Sequence, residues 1–204
     1  MFNKRKDIFS LFGFTVRIDI SWIIIAMLVT WSLASGFFPH YFSDLSRATY
    51  WWMGIAGVIG LFISIIIHEF FHSLVARHFG MPMKGITLFI FGGVAEMDDE
   101  PPSPKAELWM ALAGPCVSVI LGFIFHAIAA AGNTFAWPTG ITGVVQYLGW
   151  INWILAAFNM VPAYPLDGGR VLRSILWYWK KNINKATKIA SRIGTGFGFF
   201  LIFF

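Results

Sequence analysis

LFISIIIHEFFHSLV, residues 61–75, sets His68, Glu69 and His72 inside an apolar run long enough to cross a bilayer. At i and i+4 the two imidazoles share one helix face, one turn apart, which suits a single Zn²⁺. Glu69 is placed to work on a water bound to that metal. Charged or strongly polar side chains in a membrane span cost kilocalories unless paired or hydrated, so three together need a reason. A metal with a catalytic water is one. A chance match to H-E-x-x-H is the alternative, and it is disfavoured where unpartnered His and Glu are penalised.

Composition agrees with a membrane setting. Of 204 residues, 57% are hydrophobic and 12% charged, and the mean hydropathy is +0.69, too apolar for a soluble globule. Ten Trp and twenty-two Phe suit interfacial belts and lipid-facing surfaces. The single cysteine, Cys116, excludes an intramolecular disulfide and a cysteine zinc cluster. The net charge of +5 does not read as a nucleic-acid footprint, because the basic residues flank the apolar runs. The first apolar run lacks a cleavage site and reads as an uncleaved span.

The expected class is an all-α polytopic membrane protein: one domain over residues 1–204, with spans at about 20–38, 51–79, 107–131 and 141–160 and a partial fifth at 186–204. Lys4, Arg5, Lys6 and Arg17 precede span one, Arg77 and Lys84 follow span two, and the strongest basic cluster, Arg170 to Arg192, follows span four. The positive-inside rule then puts the N-terminus in the cytoplasm and the ends of spans two and four on that side. His68 and His72 come level with Asp167, and two imidazoles plus a carboxylate leave the fourth tetrahedral position of Zn²⁺ for water. The last apolar run stops at Phe204, which reads as a span cut short with more chain following. Between spans two and three, residues 84–97 are β-branched and aromatic around Gly92-Gly93, a hairpin signal. Such a hairpin would dip into the membrane against protein and offer an edge strand to an extended peptide.

His68-Glu69-x-x-His72, Asn159-x-x-Pro162-x-x-Pro165-Leu166-Asp167-Gly168-Gly169 and, as a third feature, Gly114-Pro115-x-x-Ser118 together resemble the site-2 protease family of intramembrane zinc metalloproteases. The resemblance spans about residues 51–175. It implies one Zn²⁺ held by His68, His72 and Asp167, Glu69 as catalytic acid/base and Asn159 holding substrate backbone or the polarised carbonyl. It also implies that the 84–97 hairpin clamps an unwound substrate in regulated intramembrane proteolysis. The substrate is then a transmembrane protein, cut within or beside its span, in a prokaryotic cell membrane with the site toward the cytoplasm. Phe70-Phe71 depart from the small residue many members carry between the histidines. No PDZ module fits between spans two and three, so the chain is similar to the branch without one, whose members often carry a C-terminal regulatory domain. The rival from another class, a membrane metal-ion transporter, would need polar residues strung through several helices, and few are present.

Lesser expectations complete the reading. His126 is expected to pack within span three, His78 to be interfacial, His40 to lie in a loop and Cys116 to be a buried apolar filler. Arg170 is expected to be a positive-inside anchor, and Trp22, Trp51, Trp52, Trp109, Trp177 and Trp179 to be belt residues.

Overall fold

Helix α3, Arg47–His78, is about 48 Å long at 1.5 Å per residue, well beyond the thickness of a bilayer core. The computed structural model describes residues 5–11, 14–19, 21–81, 83–89, 92–97 and 100–203. The start of α3 is capped by the Ser46 side chain, which accepts the Thr49 N–H at 3.1 Å. At its end, Gly80 takes φ +73° and Met81 N–H closes onto Ala76 O at 3.0 Å. That six-to-one bond is a Schellman stop, with Met81 packed near Ala76 in one small core.

The chain is mostly helical, and among the described residues four stretches are long and apolar enough to cross a membrane: Trp22–Tyr41, Arg47–His78, Pro104–Thr134 and Thr139–Asn159. The first consists of α1 (Ser21–Ser32), a π-helical turn at Leu33–Phe37 and the short α2 (Phe38–Tyr41). Helices α4 (Pro104–Thr134) and α5 (Thr139–Asn159) follow α3. Leu33, Phe38, Met53, Val58, Phe62, Tyr147 and Leu148 bring the first stretch, α3 and α5 together in one core. Large apolar side chains such as Ile24, Met27, Ile59, Phe123 and Ile154 face outward, as they do on a helix bundle surrounded by lipid.

Two further helices lie beyond the fourth stretch. The first is α6 (Asp167–Lys180), where the basic residues from Arg170 onward mask a helix too short and polar to register as a span. The second, α7 (Ile183–Phe203), is a helix over the stretch where a partial fifth span is expected, and it is not among the membrane-capable stretches. Lys185, Lys188 and Arg192 in its first half keep it outside the four apolar stretches.

The backbone also forms strands in the order β1 (Arg5–Leu11), β2 (Phe14–Asp19), β3 (Met83–Phe89) and β4 (Gly92–Met97). β2 and β3 run parallel, with Thr15 opposite Gly85 and Ile18 opposite Leu88. β3 and β4 run antiparallel, with Phe89 opposite Gly92 and Leu88 opposite Gly93. Gly92 and Gly93 therefore belong to β4 instead of forming a two-residue turn, and residues 90–91 lie outside the described ones. The basic flank expected over residues 1–19 thus contains two strands. The alternation Val16-Arg17-Ile18-Asp19 carried the period-two signal for β2, which the basic residues obscured.

Gly80 needs a left-handed backbone, so Gly80→Val is expected to destabilise the folded protein by about 1–2 kcal/mol. Gly80→Asn should cost less, and thermal unfolding of the detergent-solubilised chain compares the two.

Candidate metal centre

His68 and His72 project from the buried face of α3, four residues apart and both almost fully buried. Their rings stand edge-on, with centroids 4.8 Å apart and planes at 74°. Asp167 arrives on another element, as the first residue of α6. Its Oδ2 lies 3.1 Å from Nε2 of His68 and 3.1 Å from Nε2 of His72, across 99 and 95 residues of chain.

The opposite ring nitrogens are held by α4. His72 Nδ1 donates to the Met110 carbonyl at 2.6 Å, and His68 Nδ1 is 2.9 Å from Ser118 Oγ. A carbonyl can only accept, so His72 carries its proton on Nδ1 and, as a neutral ring, turns a bare lone pair at Nε2 toward the carboxylate. Lone pairs facing each other at this distance repel unless a cation or proton lies among them. This donor set fits a divalent metal: ligands about 2 Å from one zinc lie roughly 3–4 Å apart, and these donor atoms all lie within 4.8 Å of one another. The Nδ1 bonds to Met110 and Ser118 are the partners that orient metal-binding imidazoles.

Room at the centre depends on glycine. A Cβ on Gly114 of α4 would collide with Nε2 of both histidines. Pro115, the next residue, has no N–H to give to the preceding turn, so this part of α4 combines a missing side chain with a missing donor. Gly168 is equally constrained: a Cβ there would collide with the Met160 and Val161 carbonyls. The segment from Met160 to Leu166 therefore folds tightly over the start of α6, with Leu166 N–H bonded to Ala163 O at 2.9 Å and a cis peptide at Tyr164–Pro165.

Asp167 has a side chain 13% exposed. Glu69, next to His68, is half-buried and close enough to interact electrostatically with His72, His68, Asp167 and Arg170. Asn159 stands apart. At the end of α5 its Nδ2 donates to Leu155 O at 3.0 Å within its own helix, and among the described residues no hydrogen bond links it to the cluster.

Several polar residues escaped the sequence reading. Glu107 of α4 is fully buried and paired with Arg173 of α6. Asn152 of α5 is fully buried and donates to Ser64 Oγ at 2.9 Å, one turn before His68 on α3. A lone Asn or Glu in an apolar run was the available signal, since such residues in a span generally find a partner. Cys116 is corrected from buried filler to exposed, because it faces away from the Gly114–Ser118 side of α4. His126 stacks on Trp153 at 4.3 Å and donates Nδ1–H to Gly122 O at 2.8 Å, the packed role expected. Trp22 is partly buried against Phe62, whereas Trp52, Trp109 and Trp179 are exposed.

The profile of peptidase family M50 matches residues 56–201. A Synechocystis sp. protein, provisionally named a zinc metalloprotease, is 41% identical over 98% of this chain and 52% of its own length. A protein named zinc metalloprotease from Methanocaldococcus jannaschii is 31% identical over 99% of this chain and 54% of its own. The chain thus spans about half the length of the curated relatives it matches. Among solved structures, the site-2 protease from Methanocaldococcus jannaschii superposes with TM-score 0.64 at 29% identity, covering 98% of this chain and 83% of that one.

Gly114→Ala is expected to fold but to lose metal affinity by about 10–100-fold, the range seen when the surroundings of ligands are disturbed. Zinc content of the purified variant, read beside its thermal unfolding, checks this.

Proposed function

This chain belongs to peptidase family M50, and on that premise we propose that it is an intramembrane zinc endopeptidase, cutting peptide bonds within or beside transmembrane segments of substrate proteins. It is a multi-pass membrane protein with four apolar helices, and its relatives are named as zinc metalloproteases. The observation that carries the reading is the meeting of His68 Nε2, His72 Nε2 and Asp167 Oδ2 at 3.1 Å inside that frame.

His68, His72 and Asp167 would hold zinc. When bound, zinc supplies a Lewis acid that polarises a carbonyl and lowers the pKa of a water. Glu69 takes a proton from the attacking water and delivers it to the leaving amine. The bonds from His72 to Met110 O and between His68 and Ser118 keep both rings turned to the centre throughout. Asn159 serves the substrate. Its Nδ2 would leave Leu155 O, on which it now rests at 3.0 Å, to do so.

A substrate helix hides its carbonyls in i→i−4 bonds and must unwind to be cut. Among the described residues β4 is last in the strand order, which supports the proposal that an extended substrate pairs there and regains its lost hydrogen bonds. The clusters of Arg and Lys near both chain ends support a cytoplasmic N-terminus and a site toward the cytoplasmic side of a prokaryotic membrane. Phospholipid and a transmembrane protein are then the partners. The transporter reading is not favoured, since the family is one of peptidases.

Glu69→Gln should lower cleavage of a model single-span substrate by about 10²–10⁴-fold, the share a general acid/base contributes, while bound zinc stays at the wild-type level. Undiminished cleavage in that variant would remove Glu69 from the mechanism. Chelation should abolish cleavage in the wild type, and added zinc should restore it; activity that survives full zinc removal sinks the metalloprotease reading.

A further inference from the structure

Positive-inside topology accounts for Arg173 as one basic residue among many, but not for its partner. Glu107 is fully buried. Arg173 donates Nε–H to Glu107 Oε1 at 2.5 Å, and its Nη2 reaches the same oxygen. The guanidinium also lies over the Tyr164 ring, 5.5 Å from its centroid, in the segment that leads into Asp167. Taking both charges out of water costs about as much as their attraction returns, so such a pair is poorly suited to adding stability. What it joins matters more.

Glu107, Met110, Gly114 and Ser118 follow one another along a single stripe of α4 at helical spacing. Each meets a part of the metal centre. Met110 O holds His72, Ser118 faces His68, and Gly114 leaves the space between the rings. Glu107 grips α6, the helix that begins with Asp167. The two histidines are located by α3 itself, whereas Asp167 comes on a separate short helix behind a non-helical segment. Its position relative to the rings therefore needs an independent tie to the same reference.

We propose that the Glu107–Arg173 ion pair is a positioning device that registers α6 on α4 and so sets Asp167 opposite His68 and His72. Glu107 and Arg173 touch neither substrate nor metal; they act through Asp167. The proposal rests on the zinc-site reading above.

Zinc affinity of the full chain in detergent, measured by competition with a chromophoric chelator, tests it, with thermal unfolding of the metal-free protein as the control. Glu107→Gln should weaken zinc binding by about 10–100-fold, as loss of a supporting partner does. In an Asp167→Asn background the same substitution should change zinc affinity no further, because the group it positions is gone. Arg173→Lys keeps the charge and loses the fork; it should show the same dependence on Asp167 and serves if Glu107→Gln does not fold. Wild-type affinity in both single variants overturns the proposal, and so does an equal loss with and without Asp167. Asp167→Asn binding zinc as tightly as wild type would instead overturn the ligand assignment, a different failure.

Discussion

Three electron-pair donors turned toward one another inside an apolar helical frame are the constraint on which this structure depends. Nε2 of His68, Nε2 of His72 and Oδ2 of Asp167 meet at 3.1 Å, and the Met110 carbonyl settles which His72 nitrogen keeps its proton. In water such an arrangement would relax by turning each group toward solvent. Buried, it persists only because every other polar atom of the two rings is already committed and a positive centre is the natural complement.

Helix α4 supplies no metal-binding group in this arrangement, yet it organises the site. Its stripe from Glu107 to Ser118 touches α3 through both rings and α6 through Arg173. The absent side chain of Gly114 is as necessary as any side chain present, because a methyl group would occupy the centre. Gly168 does the same for backbone, letting the segment after α5 lie directly on the start of α6. Small residues in membrane helices often serve close helix contact; Gly114 instead leaves space between two imidazoles.

The helical frame was legible because membrane spans have a strong sequence signature. Four of the expected spans correspond to apolar helical stretches, with ends displaced by a few residues where caps such as Ser46 and Ser103 set the boundary. What was obscured had weaker signals. Helix α6 is short and amphipathic among basic residues, β1 and β2 lie in a flank dominated by charge, and the Gly92-Gly93 pair looked like a turn although both residues pair within β4. Cys116 sits only two residues from Gly114 but on the outward side of the same helix, a distinction of face that residue type does not carry.

Local order alone placed two imidazoles on one face of α3, since a spacing of four residues is nearly one helical turn. Charge bias along the chain added that Asp167 belongs at a matching depth. Whether the carboxylate would reach the rings, which nitrogen of His72 would face it, and that Asn159 would turn back onto Leu155 were decided by packing. So was the partnership of Glu107 with Arg173, 66 residues away. Sequence periodicity reports direction about one helix axis, whereas convergence depends on how separate helices register against a third, and that information exists only once they are packed.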